Sequence, residues 1–315
     1  MVQMHKLLIL SSQADEYLSL FKESRVADLA CEATSSPKQA ILRGIDCDLA
    51  FGEPDLLSQV LPHLTGLQWV QATWAGIEPL LDPALRRDYI LTNARGIFGA
   101  LMSEYVFGYL LAHERHILKR YISQQAKQWD ETVPGTLRGK QIGLLGVGSI
   151  GAELARTAKH FGMRVRGYTR ASETCLEVDI YFHPPDKLAF AAGLDYLVCV
   201  LPQLGTTRQI VDEKLLATLP EHALVINVGR GSVLDESALV EALQSGRLAG
   251  AILDVFLEEP LPASHIFWRT PNLLISSHTA ALTIPEDMVG VFLENYRRWL
   301  RGEALRYCVD FELGY

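Results

Sequence analysis

The feature that most constrains the fold is a glycine-rich hexapeptide, Gly146-Val147-Gly148-Ser149-Ile150-Gly151, directly after a short apolar run at Gln141–Leu145. Residues 152–161 behind it have helical spacing. In a strand–turn–helix unit, the first glycine permits a tight turn, the second lets backbone amides approach a pyrophosphate, and the third allows close helix–strand packing. The motif therefore predicts a dinucleotide site at Gly146, Gly148, Ser149, Ile150 and Gly151. The alternatives are a ligand-free turn and a site for S-adenosylmethionine.

Short apolar runs separated by helical stretches recur along the chain, as expected of parallel sheets covered on both faces. They lie at residues 6–10, 48–51, 68–71 and 89–93, then at 141–145, 164–168, 196–201, 223–228, 250–256 and 273–276. A single long apolar helix is predicted at residues 101–121, and a helix at 284–300 returns the chain to the first domain. We predict an α/β protein with two doubly wound parallel-sheet domains. A Rossmann-type dinucleotide-binding domain (residues 99–281) is inserted in a flavodoxin-like substrate domain (residues 1–98 and 282–315).

The charge balance indicates a small-molecule partner. The formal net charge is −8 over 315 residues, so no basic surface favours nucleic acid or an anionic membrane. No apolar run is long enough for a signal sequence or a membrane helix. Five scattered cysteines without a C-x-x-C pair indicate reduced thiols rather than disulfides or a zinc site. The predicted compartment is the cytoplasm.

The end of the second strand of the dinucleotide unit bears on the choice between NADP(H) and NAD(H). An NAD-specific site carries Asp or Glu about 20 residues beyond the glycine motif. Here the chain has Thr169 and Arg170, with Ser172 nearby. A cation and two hydroxyls suit a 2′-phosphate, so the sequence favours NADP(H), with NAD(H) possible. The alternative is a solvated loop arginine.

Three later strand ends carry polar residues that a packed sheet does not need: Arg230 between two glycines, Glu259 in D-V-F-L-E-E-P, and His278 in S-S-H-T-A. Ligands of open α/β sheets bind at such ends. Histidine is suited to proton transfer at neutral pH, and a neighbouring carboxylate favours its charged form. Arg230 could grip a carboxylate or carbonyl oxygen. The structural alternatives are a salt bridge for Arg230 and a core histidine for His278. A metal site or a G-x-S-x-G hydrolase is not expected.

With the glycine motif, N-V-G-R-G, D-V-F-x-x-E-P and S-H-T-A in this order, the chain resembles the D-isomer-specific 2-hydroxyacid dehydrogenases over nearly its full length. The resemblance implies hydride transfer between NAD(P)H and a small 2-keto acid, with Arg230, Glu259 and His278 as the catalytic set. It also implies that Asp254 faces the nicotinamide amide. Further cofactor contacts are implied for Leu201, Pro202, Thr207 and Val228.

The same resemblance suggests a substrate loop and a dimer. Backbone amides at Trp74, Ala75 and Gly76 would bind the substrate carboxylate, with Trp74 either narrowing the pocket or packing against the hinge between the predicted domains. Residues 122–137 would form a homodimer contact, in which Trp129 either reaches the partner's site or anchors the interface. Within the family, the pattern looks most like the NADPH-preferring glyoxylate/hydroxypyruvate reductases.

Two alternatives stay open at this point. The same fold could serve a non-catalytic, dinucleotide-sensing interaction protein, because fold does not fix function. The enzyme could also take another substrate, such as 3-phosphoglycerate, D-lactate or phosphite. Detectable turnover would distinguish an enzyme from a sensing protein. A comparison of substrates would distinguish the possible 2-hydroxyacid dehydrogenases from each other.

Overall fold

The computed structural model describes residues 4–314 and divides them into two compact units. The first unit comprises the residues up to Ile97 and those from Thr283 onward, and the second is Phe98–Leu282. Strands and helices are numbered below along the chain. Within the described range, no helix has both the length and the apolar character needed to cross a membrane.

The first unit is a parallel sheet of five strands with helices. Its strands are β1 (His5–Leu10), β2 (Leu29–Thr34), β3 (Leu49–Gly52), β4 (Trp69–Ala72) and β5 (Ile90–Thr92), and its helices are α1 (Ala14–Glu23), α2 (Pro37–Arg43), α3 (Pro54–Val60) and, after the second unit, α10 (Pro285–Leu300). The strand order is β2-β1-β3-β4-β5, and every pairing is parallel. This is the flavodoxin-like order.

An aromatic cluster holds α10 against the first sheet. The ring of Trp69 on β4 stacks on Phe292 of α10 with centroids 4.6 Å apart, and Phe51 on β3 meets Phe292 edge-on at 5.8 Å. The indole N–H of Trp69 donates to the Thr92 hydroxyl at 2.7 Å, so its polar atom is satisfied inside the core. The returning helix is therefore an integral part of the first unit.

The second unit is a parallel sheet of seven strands. Its strands are β6 (Gln141–Leu145), β7 (Arg164–Tyr168), β8 (Ile180–Phe182), β9 (Tyr196–Cys199), β10 (Leu224–Asn227), β11 (Gly250–Leu253) and β12 (Leu273–Ile275), and its helices are α4 (Gly99–Glu114), α5 (Ile117–Gln125), α6 (Ser149–His160), α7 (Lys187–Ala191), α8 (Glu213–Thr218) and α9 (Glu236–Gln244). The order β8-β7-β6-β9-β10-β11-β12 is the Rossmann order with one added strand. The predicted fold class, two doubly wound parallel-sheet domains, is confirmed.

Alternating side chains of the central strands fill two cores on opposite faces of the second sheet. Leu145, Leu197 and Val225 belong to one core, and their chain neighbours, including Leu144, belong to the other. Helix α6 buries residues spaced by three and four, which is the pattern of a helix with one face on a sheet. Continuous burial on both faces explains why these strands are recognisable as short apolar runs.

The structure corrects three predictions about elements. Two strands were not predicted, β2 and β8, and both are edge strands whose side chains are mostly half-buried or exposed, so neither forms an apolar run. The single long helix predicted at 101–121 is wrong, because the chain forms α4 and α5 with a break at Arg115–His116. His116 adopts a left-handed conformation (φ 54°, ψ 36°), which a continuous helix cannot contain.

Candidate active site

The glycine motif lies in the turn between β6 and α6, and the backbone geometry requires glycine at the first and third glycine positions. Gly146 has φ +107°, a conformation that L side chains rarely adopt. A Cβ at Gly151 would lie 2.3 Å from the Gly146 carbonyl oxygen, so only glycine allows this closeness of helix and turn. A Cβ at Gly148 would meet nothing within 4 Å, and this residue is exposed. The chain therefore leaves open space at the second glycine.

The N-terminus of α6 is suited to an anion. Its first turn carries no acidic residue, and no side chain caps the first amides. Ser149 is exposed and Ile150 is half-buried, so the amides of this turn lie near the surface. The free N–H groups and the helix dipole together favour a negatively charged group. These residues fit a pyrophosphate, as the sequence predicted for a dinucleotide.

The end of β7 places Thr169, Arg170 and Ser172 in one turn. The Thr169 hydroxyl donates to the Ser172 carbonyl at 2.7 Å, and Arg170 and Ser172 are exposed. His183, which follows β8, was missed by sequence reasoning. Its Nδ1 donates to the Thr169 carbonyl at 3.0 Å, and its Nε2 contacts Glu173 at 2.7 Å, which raises the pKa of His183. Since β8 was not predicted, no pattern marked its end.

The loops after β9 and β10 are packed against each other. The buried Thr207 hydroxyl donates to the Pro202 carbonyl at 2.7 Å and accepts from a neighbouring amide of the same loop at 2.9 Å. A Cβ at Gly229 would lie 2.7 Å from the Leu201 carbonyl oxygen, and Val228 is buried. The Thr207 hydroxyl therefore joins two parts of the loop after β9 by hydrogen bonds. The Leu201 backbone packs directly against Gly229 in the loop after β10.

The turn that carries Arg230 is braced by Asn227, another residue that sequence reasoning had given no role. The Asn227 side chain accepts from the Gly229 amide at 3.1 Å and donates to the Arg230 carbonyl at 2.9 Å. A Cβ at Gly231 would lie 1.9 Å from the Phe256 carbonyl carbon, so this turn is pressed against the chain after β11. The half-buried Arg230 is thus presented by a tightly constrained turn.

His278 and Glu259 form the predicted pair. The His278 Nδ1 lies 2.7 Å from the Glu259 Oε2, and Glu259 Oε1 accepts from the Phe256 amide at 2.8 Å. A carboxylate can only accept, so Nδ1 carries a proton and Nε2 is the position that exchanges a proton with a ligand. The His278 side chain is 53% exposed, so the ring is accessible. The arrangement can perform general acid–base chemistry.

Asp254 holds the loop that carries His278. Its buried carboxylate accepts from the Ser276 hydroxyl at 2.7 Å and from the amides of Thr279 and Ala280 at 2.8 and 3.0 Å. The family resemblance implies that this carboxylate faces a nicotinamide amide. It has about four acceptor positions, so three donors from the chain leave room for one more.

His278 itself adopts a left-handed backbone conformation with φ +55°. Its amide donates to the Asp254 carbonyl at 2.8 Å. A left-handed non-glycine residue costs on the order of 1–3 kcal/mol and persists where its surroundings hold it. The hydrogen bonds to Asp254 provide that support.

The predicted substrate loop lies in the first unit, directly after β4. Trp74 is 41% exposed, and its carbonyl accepts from the Ala94 amide at 3.1 Å, while the Ala75 carbonyl accepts from the Asn93 side chain at 2.9 Å. Over residues 4–314, the amides of Ala75 and Gly76 meet no acceptor of the chain. Occupied carbonyls and unsatisfied amides together are the features of an anion-binding turn.

A family model decides the classification. Residues 107–280 match the description "D-isomer specific 2-hydroxyacid dehydrogenase, NAD binding domain". The chain belongs to this family. Its members are nicotinamide-dependent oxidoreductases, so the predicted family and the predicted kind of enzyme are confirmed, as is the use of NAD(P).

Individual members of the D-2-hydroxyacid dehydrogenase family cover most or all of the chain. A glyoxylate/hydroxypyruvate reductase A of Photorhabdus laumondii is 32% identical over 265 residues, which is 82% of this chain and 84% of the relative. A solved D-isomer specific 2-hydroxyacid dehydrogenase family protein of Aeromonas salmonicida superposes with a TM-score of 0.93 at 36% identity, covering 98% of this chain and 100% of that one.

A second solved structure is an NADPH-dependent glyoxylate/hydroxypyruvate reductase of Sinorhizobium meliloti, in complex with NADP and sulfate. It superposes with a TM-score of 0.86 at 26% identity and covers 99% of this dehydrogenase and 100% of its own chain. The narrower resemblance predicted from the sequence, to the glyoxylate/hydroxypyruvate reductases, therefore agrees with the names of these relatives.

Proposed function

We propose that this dehydrogenase reduces a small 2-keto acid, glyoxylate or hydroxypyruvate, to the corresponding 2-hydroxy acid with NADPH. The observation that carries the proposal is the contact of His278 Nδ1 with Glu259 at 2.7 Å, which leaves Nε2 of an accessible ring for proton transfer. The printed names of the Photorhabdus and Sinorhizobium relatives support the choice of substrate.

The catalytic roles follow from the chemistry of three side chains. When bound, the reduced nicotinamide supplies the hydride for the carbonyl carbon. His278 delivers a proton from Nε2 to the carbonyl oxygen, and Glu259 holds the ring by Nδ1. Arg230 binds the carboxylate or carbonyl oxygen of the substrate with its guanidinium group. In the oxidation direction, His278 takes the proton back.

The second unit would hold the cofactor through three groups of residues: the glycine turn, the end of β7, and the loops after β9 to β11. They are Gly146, Gly148, Ser149, Ile150, Gly151, Thr169, Arg170, Ser172, Leu201, Pro202, Thr207, Val228 and Asp254. The preference for NADP(H) over NAD(H) rests on Arg170 and on the lack of a carboxylate at residues 168–170, where β7 ends.

The first unit would bind the substrate carboxylate with the amides of Ala75 and Gly76, because these amides have no acceptor in the described chain. The exposed Trp74 would border the same loop and limit the size of the substrate. On this proposal, residues 1–98 and 282–315 form the substrate domain and residues 99–281 the dinucleotide-binding domain. A cytoplasmic location also stays a prediction.

We also propose a homodimer through α5 and the segment after it. Helix α5 has no buried residue, and large apolar side chains are exposed along this stretch, at Ile117, Leu118, Tyr121, Ile122, Trp129 and Val133. Contiguous exposed apolar surface commonly marks an interface. Leu137, at the end of the predicted segment, is buried in a core of the second unit and therefore would not take part.

Turnover by the purified protein tests the proposal. Oxidation of NADPH and NADH is followed with glyoxylate, hydroxypyruvate, pyruvate and phenylpyruvate, and the reverse reaction with 3-phosphoglycerate and D-lactate. We expect the highest kcat/KM with NADPH and one of the two small polar acids. Faster turnover of 3-phosphoglycerate or D-lactate would replace the proposed substrate. Cofactor binding without turnover of any acid would favour a sensing role instead.

A further inference from the structure

A tyrosine on α4 contacts the loop that carries His278. The Tyr105 hydroxyl lies 2.5 Å from the Ser276 hydroxyl, although 171 positions separate the two residues in sequence. Tyr105 is half-buried, and burial raises its pKa well above the ordinary range. The phenol therefore keeps its proton throughout the physiological pH range and can donate a hydrogen bond.

The direction of this hydrogen bond follows from its neighbour. The Ser276 hydroxyl donates its single proton to Asp254 Oδ1 at 2.7 Å, because a carboxylate can only accept. Ser276 must then accept from Tyr105. The result is an ordered chain in which Tyr105 donates to Ser276 and Ser276 donates to the buried Asp254. Hydrogen bonds arranged in one direction polarise and strengthen each other.

The chain ends on the backbone that surrounds His278. Asp254 accepts from the amides of Thr279 and Ala280, and its carbonyl accepts from the amide of His278. Three consecutive amides are thus fixed by one residue, and Tyr105 fixes the carboxylate of that residue through Ser276. His278 needs such support because its backbone is left-handed at φ +55°.

We propose that Tyr105 and Ser276 are positioning residues, which hold the acid–base histidine in its reactive orientation through Asp254. The inference rests on the proposed function of His278 and adds two residues outside the set assigned to catalysis and binding. Neither residue needs to touch the substrate, because each acts on the loop.

The test compares four variants: Tyr105→Phe, Ser276→Ala, Ser276→Thr and, as a matched control, Tyr89→Phe. The Tyr89 hydroxyl is buried and has no hydrogen-bond partner in the described chain, so its removal repeats the chemical change outside the network. Amide hydrogen exchange at residues 278–280 is measured by mass spectrometry, together with kcat and KM for the keto acid and the Kd of NADPH.

We expect faster exchange at residues 278–280 in Tyr105→Phe and Ser276→Ala. We also expect kcat to fall about tenfold, as for one lost hydrogen bond to a charged network, with KM and the NADPH Kd within about twofold of wild type. Ser276→Thr keeps a hydroxyl and should restore both exchange and kcat. Tyr89→Phe should match wild type.

Unchanged exchange in Tyr105→Phe and Ser276→Ala would overturn the proposal, and so would faster exchange with an unchanged kcat. A higher KM with an unchanged kcat would also contradict the proposal, because that result indicates that the side chain contacts the substrate rather than positions the loop. If the wild-type protein reduced no 2-keto acid, the proposed function would fail by itself, and unchanged exchange would still show separately that Tyr105 does not hold the loop.

Discussion

At the scale of single residues, the candidate site separates side chains that meet ligands from side chains that orient them. His278 is half-exposed, whereas Asp254 is buried and accepts hydrogen bonds from Ser276, Thr279 and Ala280. The turn that carries Arg230 is likewise held by a buried side chain, because Asn227 forms hydrogen bonds with the backbone of Gly229 and Arg230. On the proposed function, the reactivity of His278 would therefore depend both on its exposed ring and on the buried groups that hold its loop.

Replacing the histidine tests its role directly. His278→Ala should lower kcat by about a thousandfold, the range of general acid–base catalysis, while the Kd of NADPH changes little. Glu259→Gln should cause a smaller loss, because the ring can still donate to the amide oxygen. His222→Ala is the matched control, since this exposed histidine pairs with Asp195 instead. Near-normal turnover of His278→Ala would remove it from the mechanism.

Arg170 provides a test of cofactor choice. Arg170→Ala should weaken NADPH binding by about tenfold or more and leave NADH binding nearly unchanged, because only NADPH offers a phosphate to the guanidinium. Fluorescence titration gives both dissociation constants. Arg164→Ala, an exposed change at the opposite end of the same strand, should alter neither. An equal loss for both cofactors would contradict the assignment.

At the scale of elements, the glycine turn between β6 and α6 has no room for a side chain at its third glycine. Gly151→Ala should lower the urea midpoint and weaken NADPH binding, because its Cβ would lie 2.3 Å from a backbone oxygen at a cost of about 1–3 kcal/mol. Gly108→Ala on α4 meets nothing within 4 Å and should instead stabilise its helix by about 0.5–1 kcal/mol. Equal midpoints for the two variants would refute this steric account.

The burial of each element explains whether the sequence alone can predict it. Central strands such as β9 and β10 are buried on both faces, so the sequence shows them as short apolar runs. The polar motifs that follow such strands predict the residues of the candidate site. The edge strands β2 and β8 lack this signal, and His183 at the end of β8 was missed with it. The helix break at His116 contains neither glycine nor proline.

Long-range partners form a second class that sequence cannot predict. The bond from Tyr105 to Ser276 joins residues 171 positions apart, and no local pattern reveals that these two side chains meet. The bracing by Asn227 depends on the exact path of the turn after β10, which becomes visible only in three dimensions. A motif can contain such a residue, as it does for Asn227 and Ser276, but only the three-dimensional structure shows what the residue contacts.

At the scale of the whole molecule, the exposed apolar stretch of α5 predicts association. Ile122→Asp should shift the proposed dimer toward monomers in sedimentation at micromolar concentration, because a charge there would be desolvated at an interface. Leu300→Asp, a similarly exposed apolar position outside this stretch, serves as the control and should leave the sedimentation coefficient unchanged. A wild-type protein that sediments as a monomer would contradict the dimer proposal.

The discontinuity of the first unit has a consequence for synthesis on the ribosome. Helix α10, whose Phe292 stacks on Trp69, is translated only after every strand of the second unit has been made. Until then, Trp69 lacks its stacking partner, although Phe51 already packs against Tyr17 and Phe21 of α1. The second unit is contiguous in sequence and is complete before α10 is made. The nascent chain therefore completes its second unit before the first, and Trp69 stays without Phe292 until α10 has been synthesised.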